Sequence, residues 1–494
     1  MFFLCVLCAY VFTCFKNYKQ MKEISFRNFL FIVPVLILLI IQIPHLGLPY
    51  FYDEAWSYIP TIIKMADVGP SLMPGVLPIG DCKGHPQFFF FVSSSWMKIF
   101  SDNITIMRIL PLLFSMGVII TVYFGLLKLV NWESAIIASL LISVQSMFLA
   151  QAIFLLPEML LTFLFVLSFF LFLNRQYIAY AVASTCMVLT KETSIIFPLT
   201  FGLFYIFSMV SALEREKHRH IHLLAFAMPG IVYVVFLILH YLAFGVVFYT
   251  DHVGYISLDW ATIQDKIDRA YQFMFIGYGR RYISIAAIIG LIIWLIQGSK
   301  NRRLVILGIF SFLAFMIFSV LNFYTQRYGL VAMVLFIILF GVLVGQIKIN
   351  LYIKAVITIA LASVCLYFSL TEKQNADIDM GYVETIGVFE ELVQYCEENN
   401  LYDEPLSASF NMIFVLREND LGYVKGQRKF SKVLDWKQYM DARYFIYEST
   451  MEIIPGLEYA KENFKLVKTV TQKHAWGVIY ENTNFQEPAI SSNP

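Results

Sequence analysis

The chain has 494 residues, of which 59% are hydrophobic and 14% are charged, and its formal net charge is +1. Soluble globular proteins carry about 45–50% apolar and about 25% charged residues. The apolar excess excludes a single soluble domain and indicates many segments that face lipid. The nearly neutral charge and the lack of a basic arm exclude a nucleic-acid partner.

The first fifteen residues are apolar, but they are short for a membrane span. They lack the basic region and the small-residue cleavage site of a signal peptide. A second methionine, Met21, stands just before the first convincing span. We therefore predict that residues 1–20 are either a misassigned start or a membrane-surface segment, and that residues 1–27 are cytoplasmic or at the membrane surface.

Seven cysteines occur in the sequence, and their spacing fits neither a metal site nor a redox motif. We therefore interpret them as mostly structural. Cys82 and Cys396 would both face the far side of the membrane, so a disulfide between them is the one pairing that we consider.

Apolar runs that approach the length of a membrane span are spread along the chain. They cover residues 28–47, 106–127, 134–152, 156–173, 177–196, 197–211, 222–245, 282–297, 304–322, 328–345 and 351–370. In hydrocarbon every backbone polar group must be satisfied locally, so each run predicts a helix. We expect an α-helical polytopic membrane protein with about eleven spanning helices.

Basic residues fall at every second junction between these runs, as expected of cytoplasmic loops. They are Lys16, Lys19, Lys22, Arg27, Lys128, Arg175, Arg215, Lys217, Arg219, Lys300, Arg302, Arg303 and Lys348. The N-terminus is therefore predicted inside, with outer loops at residues 48–105 and 246–281. The half-apolar segments 54–67 and 86–100 of the first outer loop predict helices that lie in the membrane interface.

The tail from residue 371 is polar and differs in kind from the rest of the chain. It alternates helix-like runs with short strand-like runs. These are the helix-like runs 382–399 and 436–442 and the strand-like runs 406–410, 443–447 and 476–481. The tail predicts a small extracytoplasmic α/β domain over residues 371–494, which follows a transmembrane domain over residues 28–370.

Ionisable residues at membrane depth are costly, so they mark candidate functional sites. The predicted topology brings those of this chain near the outer membrane face. They are Asp53, Glu54, His85, Arg108, Glu158, Lys191, Glu192, Arg280, Arg281 and Arg327. Carboxylates and cations at one depth favour a site that binds an anionic ligand and carries out an acid–base step.

Each of these residues also has a purely structural interpretation. Lys191 and Arg280 could extend from helix ends to lipid phosphates. Asp53 could cap the helix that follows it. His85, which precedes a proline, could be a hydrogen-bonded loop residue. Glu158 follows a proline and suits the first turn of a helix, where the dipole favours a carboxylate.

Several of the charged residues lie in short motifs whose order and spacing resemble the GT-C glycosyltransferases. The closest groups are the protein O-mannosyltransferase-like and the lipid A aminoarabinose transferase-like membrane enzymes. The motifs are D-E at 53–54, H-P at 85–86, R-x-L-P at 108–111, L-P-E-M-x-L-T at 156–162, L-T-K at 189–191 and R-Y at 327–328. The resemblance covers roughly residues 28–345, and the tail carries no motif of this family.

The resemblance implies an inverting transferase that uses a polyprenyl-phosphate-linked sugar. Asp53 matches the first-loop acid of the family and Glu54 the paired acid of the mannosyltransferase branch. Glu158 matches the second acidic position. These residues are the expected catalytic acids. A divalent cation, Mg²⁺ or Mn²⁺, could bind at Asp53 and Glu158, but no complete ligand set is visible and no cofactor is certain.

The resemblance also implies cations that hold the phosphate of the donor. They are His85, Arg108, Lys191, Arg280, Arg281 and Arg327. Arginine suits this role because its planar fork can hold two phosphate oxygens. Arg280 and Arg281 are placed by their loop position alone. His85 stands where the aminoarabinose branch has lysine, so this sequence departs from the family there.

We therefore expect transfer of a hexose or pentose to a lipid, glycan or protein acceptor on the extracytoplasmic side of a membrane, the inner membrane of a bacterium. The rivals are a transporter or flippase of lipid-linked sugars, a ligase or polymerase of lipid-linked glycans, and a non-catalytic scaffold. The sequence shows no half-repeat of the kind that transporters have. Its acids also lie in early outer loops, whereas the ligases typically use a late one.

Overall fold

The computed structural model describes residues 26–210, 221–250, 254, 256, 258–297, 301–374, 376–426, 428–451 and 453–486. The expectations for residues 1–20 and for a start at Met21 lie outside these ranges. The chain forms two compact units. The first unit contains the described parts of Met1–Pro44, Thr61–Asp102 and Ile106–Glu372, and the second those of His45–Pro60, Asn103–Thr105 and Lys373–Pro494.

Helices account for most of the described chain before residue 372, because apolar runs of this length satisfy their backbone polar groups in a membrane only as helices. The α-helices are α1 (Ile32–Gln42), α2 (Ile59–Val68), α3 (Ile79–Cys82), α4 (Phe88–Ile99), α5 (Ile104–Leu129), α6 (Trp132–Ser143), α7 (Ser146–Gln151), α8 (Pro157–Leu173), α9 (Tyr177–Thr190), α10 (Ile196–Val210), α11 (Ile221–Phe244), α12 (Trp260–Tyr271), α13 (Arg280–Ile296), α14 (Arg302–Leu321), α15 (Leu330–Gln346) and α16 (Leu351–Thr371). Among the predicted interfacial segments, 54–67 is largely helical through α2 and 86–100 forms α4.

Seven helices in the described part of the chain are long and apolar enough to cross a bilayer, and a pair bent by 83° makes an eighth candidate. The seven are Phe26–His45, Ile104–Leu129, Glu192–Met209, His222–Phe244, Arg302–Leu321, Gln326–Gln346 and Leu351–Thr371, and the bent pair is Trp260–Ile276 with Arg280–Ile296. The protein is therefore an integral membrane protein, as predicted. The predicted run 134–152 is broken into α6 and α7. The crossing of α6, α8 and α9, which are shorter, stays a prediction.

Helix α8 lies at the centre of the first unit, and every residue of Pro157–Leu173 is buried. A helix that is apolar on all sides fits such a place because none of its faces needs water. Helix α15 packs closely against α6 through two glycines spaced four residues apart. A Cβ atom at Gly341 would lie 2.7 Å from the Ala138 Cβ, and one at Gly345 would lie 2.6 Å from the Ser134 backbone nitrogen. Small residues at this spacing let two membrane helices approach closely.

The second unit contains a five-stranded sheet in the order β2-β1-β3-β5-β4. Its strands are β1 (Leu406–Ala408), β2 (Val433–Asp435), β3 (Tyr444–Glu448), β4 (Lys465–Gln472) and β5 (Ala475–Glu481), and its helices are α17 (Tyr382–Glu398), α18 (Phe410–Arg417) and α19 (Pro455–Asn463). Strand β1 is parallel to β2 and β3, whereas β5 is antiparallel to β3 and β4. The predicted α/β tail is confirmed, with two strands that the sequence analysis missed.

The segment that follows the first span is part of this second unit. The Tyr50 N–H donates to the Leu421 carbonyl over 2.9 Å. The Phe51 ring packs on Phe389 of α17 with centroids 5.8 Å apart. Tyr50 and Phe51 are both buried. The segment was expected to be an outer loop of the membrane domain, but it belongs to the sheet-containing unit.

The disulfide considered between Cys82 and Cys396 is not formed. Both residues are free, buried thiols, and they belong to different units. Cys82 Sγ instead lies 3.6 Å from the Pro78 carbonyl in the turn of helix α3. Burial of Cys396 raises the pKa of its thiol to about 12, which keeps it protonated and unreactive. The interpretation of these two cysteines as structural agrees with this placement.

Candidate functional site

Glu158 begins the central helix of the first unit. Leu156 is extended, Pro157 takes the first helical position, and the Glu158 carboxylate follows in the first turn. This order is typical of helix starts, since proline needs no hydrogen bond there and the dipole favours an acid. Only 2% of Glu158 is exposed. A carboxylate at this depth requires partners of opposite charge.

Two cations meet at the Glu158 carboxylate. Helix α9 ends at Thr190, and the extended backbone of Lys191 sends its Nζ to within 2.9 Å of Glu158 Oε1. The Arg327 Nε lies 3.6 Å from the same oxygen. Both cationic residues are buried. The structure therefore brings three of the predicted site residues together at one carboxylate.

The ring of Tyr328 and a small apolar pocket complete this cluster. The Lys191 Nζ lies 3.2 Å from the centroid of the Tyr328 ring, where the electron-rich face attracts a cation. The pocket is lined by Glu158, Leu161, Lys191, Thr193, Phe315, Tyr328, Leu330 and Val331. Glu158 Oε2 is buried and accepts no hydrogen bond from the described residues. The pocket is therefore lined by one cationic group, Lys191, and by a carboxylate that also lies near Arg327.

A second ion pair begins one residue later. Glu192 Oε2 lies 3.0 Å from His85 Nδ1, and both side chains are partly exposed. The His85 loop reaches this position through left-handed backbone at Lys83 and Gly84. The Gln87 amide donates to the His85 carbonyl over 2.9 Å. His85 was expected to contact phosphate, but its Nδ1 faces a carboxylate.

The remaining predicted phosphate ligands lie elsewhere in the first unit. Arg108 is buried, and its Nη1 donates to the Ile153 carbonyl over 2.9 Å. The Arg280 Nε donates to the Phe273 carbonyl over 2.8 Å. Arg281 is exposed. Neither Arg280 nor Arg281 lines the pocket at Glu158, so their role in phosphate binding stays a prediction.

Arg280 illustrates how a bent pair of helices holds a buried cation. It lies between two aromatic rings, 4.7 Å from the Phe273 centroid and 5.1 Å from that of Tyr278. Its Nη1 has no hydrogen-bond partner within the described ranges. The alternative in which the Arg280 side chain extends to lipid phosphates is wrong, because the residue is 0% exposed.

Asp53 and Glu54 belong to the second unit and have separate partners there. Asp53 Oδ1 accepts a hydrogen bond of 2.7 Å from the Trp56 indole. Glu54 is fully buried, and its Oε2 accepts a hydrogen bond from the Phe51 N–H over 3.1 Å. Asp53 makes no capping hydrogen bond to the turn that it precedes. The capping interpretation is therefore wrong, and Trp56 is a partner that the sequence analysis missed.

No group of three or more His, Cys, Asp or Glu side chains in the described part of the chain is arranged to hold a metal ion. At Glu158 one carboxylate oxygen already binds Lys191 Nζ. The nearby cations oppose the entry of a divalent ion. Binding of Mg²⁺ or Mn²⁺ at Asp53 or Glu158 stays a prediction.

The fold has several solved relatives, although no family model matches the chain and no curated protein matches its sequence. ArnT from Cupriavidus metallidurans aligns with a TM-score of 0.56 and 13% identity, over 92% of this chain and 97% of that one. The oligosaccharyltransferase AglB from Archaeoglobus fulgidus aligns with a TM-score of 0.53 and 11% identity, over 96% of this chain and 75% of that one. This chain has the GT-C fold. The resemblance noticed in the sequence is thus confirmed at the level of the fold.

Two of the similar GT-C structures contain a lipid phosphate. A second ArnT structure, with a TM-score of 0.55 to this chain, is bound to undecaprenyl phosphate. The AglB structure is in complex with an inhibitory peptide and a dolichol-phosphate. Both ligands are polyprenyl phosphates. At 11–13% identity these GT-C neighbours establish the fold alone.

Proposed function

We propose that this protein transfers a sugar from a polyprenyl-phosphate-linked donor to an acceptor on the extracytoplasmic side of the membrane, with inversion at the sugar. The observation that carries this proposal is the convergence of Lys191 and Arg327 on Glu158 beside a pocket that Glu158 and Lys191 line. Phosphate-binding sites combine preorganised cations with an apolar surrounding that strengthens them. The polyprenyl phosphates bound to the GT-C neighbours support the same ligand class.

The donor phosphate is assigned to Lys191 and Arg327. When the bond between the sugar C1 and the phosphate oxygen breaks, the phosphate gains negative charge, and cations already in place lower the barrier. The Lys191 Nζ is held between Glu158 Oε1 and the Tyr328 ring. The Lys191 ammonium therefore needs little rearrangement to contact an oxygen of the donor phosphate. Arginine adds a planar pair of donors that suits phosphate oxygens.

We assign to Glu158 the role of orienting a hydroxyl group of the sugar or of the acceptor. Its Oε1 holds Lys191, whereas its Oε2 is buried without a hydrogen bond from the described residues. A buried acceptor without a donor costs about 1–3 kcal/mol. A hydroxyl of the sugar or of the acceptor would satisfy this oxygen.

The base is assigned to Asp53 on the sequence resemblance. An oxygen or nitrogen of the acceptor forms a bond to the sugar C1, and the bond from C1 to the phosphate oxygen breaks. The electron pair of that bond stays on the phosphate, and the acceptor proton passes to the Asp53 carboxylate. One displacement of this kind inverts the configuration at C1.

Transfer by the purified protein tests the function. Full-length protein is reconstituted in liposomes with polyprenyl-phosphate hexoses or pentoses and an extract of envelope lipids, glycans and proteins, and products are identified by mass spectrometry. We expect a sugar–acceptor product with inverted configuration. Donor that crosses the bilayer without any product would instead establish the transporter or flippase alternative. Transfer of preassembled glycans alone would establish the ligase alternative.

Binding of undecaprenyl phosphate tests the pocket. Lys191→Met should weaken binding by about tenfold or more, because it removes one charge-assisted contact worth about 1.5–3 kcal/mol. Lys354→Met is the matched control, since Lys354 is also buried and pairs with Glu133 outside the pocket. Equal affinities of the wild type and Lys191→Met would contradict the assignment of phosphate to this pocket.

A further inference from the structure

The loop that carries Asp53 contains two costly backbone features in succession. Tyr52 has a φ of 54°, a left-handed conformation that is uncommon for a bulky residue. A π-helical turn follows at Glu54–Tyr58. Such turns are rare in proteins overall, and those that do occur are often found at functional sites. The left-handed backbone at Tyr52 costs about 1–3 kcal/mol and persists only where its surroundings hold it.

The residues that hold this loop come from the C-terminal domain. Trp56 packs against Phe410 and Phe414 of helix α18, with ring centroids 5.6 Å and 6.4 Å away. On the N-terminal side of Asp53, Phe51 packs on Phe389 of helix α17. The C-terminal domain therefore contacts the loop on both sides of Asp53.

A close backbone approach fixes the start of the same loop. The Tyr50 N–H donates to the Leu421 carbonyl, and the next residue, Gly422, has a φ of +93°. A Cβ atom there would lie 3.5 Å from the Pro49 Cα and closer still to Ile104. Only glycine fits this left-handed position without strain. Chain segments far apart in sequence thus meet where the acidic loop begins.

We infer that the C-terminal domain positions the acidic loop for the transfer step, and that Trp56 is the residue through which it does so. The Trp56 indole ring packs on helix α18, and its Nε1–H donates to Asp53 Oδ1 over 2.7 Å. One side chain therefore links the domain to the carboxylate. Trp56 acts through Asp53 and is a positioning residue. This inference rests on the proposed role of Asp53.

The pH dependence of transfer tests the role of Trp56. Trp56→Phe keeps the aromatic packing and removes the indole donor. A carboxylate that loses a donated hydrogen bond holds its proton more tightly, so the acidic limb of the pH–rate profile should move up by about one pH unit. Trp96→Phe is the matched control, since the Trp96 indole donates to the Ile106 carbonyl over 2.9 Å. An identical profile in Trp56→Phe and the wild type would overturn the inference.

Hydrogen exchange tests the role of the domain without relying on activity. Phe414→Ala should increase amide exchange of residues 49–58 in the full-length protein by tenfold or more, equivalent to about 1.4 kcal/mol. Phe464→Ala is the control, because Phe464 is another half-buried ring of the same unit, packed on Tyr459. Unchanged exchange in Phe414→Ala would refute the positioning role. A wild type that transfers no sugar would refute the proposed function, and the exchange measurement would still decide this inference.

Discussion

Lys191 and Glu192 are adjacent in the chain and form ion pairs with different parts of the first unit. The Lys191 ammonium binds Glu158 at the start of helix α8, and the Glu192 carboxylate binds His85 in the loop after helix α3. The extended backbone of Lys191 explains the divergence, because successive side chains of extended chain point to opposite sides. One short turn therefore fixes both a helix start and a loop.

The first prediction concerns the order of stability losses at the buried cluster. Glu158→Gln removes the carboxylate that Lys191 and Arg327 share, so it should cost about 3–5 kcal/mol. Lys191→Met should cost less, because Arg327 still lies near the remaining carboxylate. Thermal unfolding of the purified protein measures both changes. A larger loss in Lys191→Met than in Glu158→Gln would show that Arg327 gives Glu158 no support.

The second prediction concerns the contact between His85 and Glu192. His85→Lys should retain most of the transfer activity, because an ammonium group can also pair with Glu192. His85→Ala removes the partner of Glu192 and should lower kcat/KM by about tenfold, equivalent to about 1.4 kcal/mol. Transfer assays of the two variants at saturating and limiting donor make the comparison. Equal activity of both variants would mean that the ion pair has no part in transfer.

The third prediction concerns the close packing of two membrane helices. Gly345→Ala should destabilise the protein by about 1–3 kcal/mol, because the new Cβ atom would clash with the Ser134 backbone. Gly230→Ala is the matched control. Within the described residues, no atom outside the glycine's own helix lies within 4 Å of a Cβ atom at Gly230, so alanine there should be neutral or stabilising. Thermal unfolding of both variants in one detergent gives the result. Similar melting temperatures would contradict this packing of α6 and α15.

The fourth prediction concerns pH and the C-terminal domain. Burial raises the pKa of Glu448 above its ordinary value of 4.5, although Thr450 and Ser409 donate hydrogen bonds that partly lower it. Because the folded state holds the proton more tightly, stability is present at low pH and is lost as pH rises through the raised pKa. Protection of β3 amides in the full-length protein should therefore fall as the pH rises above the ordinary pKa of 4.5 and through the raised pKa of Glu448. Glu448→Gln should abolish this fall.

Glu384 provides a control of opposite sign for that experiment. Burial alone would raise the pKa of Glu384, but the hydrogen bonds from Lys373 and His474 and the charge of Lys373 lower it on balance. Its contribution is therefore present above the ordinary pKa and is lost as pH falls. Glu384→Gln should leave the loss of protection at higher pH unchanged. If Glu448→Gln also left that loss unchanged, Glu448 would not be its source.

The helices of the membrane unit could be predicted closely, whereas strands β2 and β4 could not. Each apolar run by itself predicts a helix, because a segment in lipid can satisfy its backbone polar groups only as a helix. Strand β2 is as short as β1, but only its first residue is fully buried and its last, Asp435, is charged, so it shows no apolar run. Strand β4 is largely exposed and rich in polar residues, so it lacks the alternation of a half-buried strand.

The candidate site was predictable in its charges but not in its pairings. Glu158, Lys191 and Arg327 were identifiable because charged residues are rare beside apolar runs. Their convergence depends on how three helices pack, which one sequence does not display. Glu192 and Tyr328 were missed as partners, although each stands next to a nominated residue. No pattern in the sequence identified Trp56, because its role depends on helix α18, which lies more than 350 positions later.

The second unit combines early segments of the chain with its C-terminal part, so its parts are synthesised at different times. Residues 45–60 leave the ribosome long before residues 373–494, with which they form one unit. At about 5–20 residues per second, the interval of roughly 300 residues lasts about 15–60 s. During that time the strained turn at Tyr52 lacks Phe389, Leu421 and helix α18. A nascent chain therefore inserts its helices first and gains an ordered Asp53 only when translation is nearly complete.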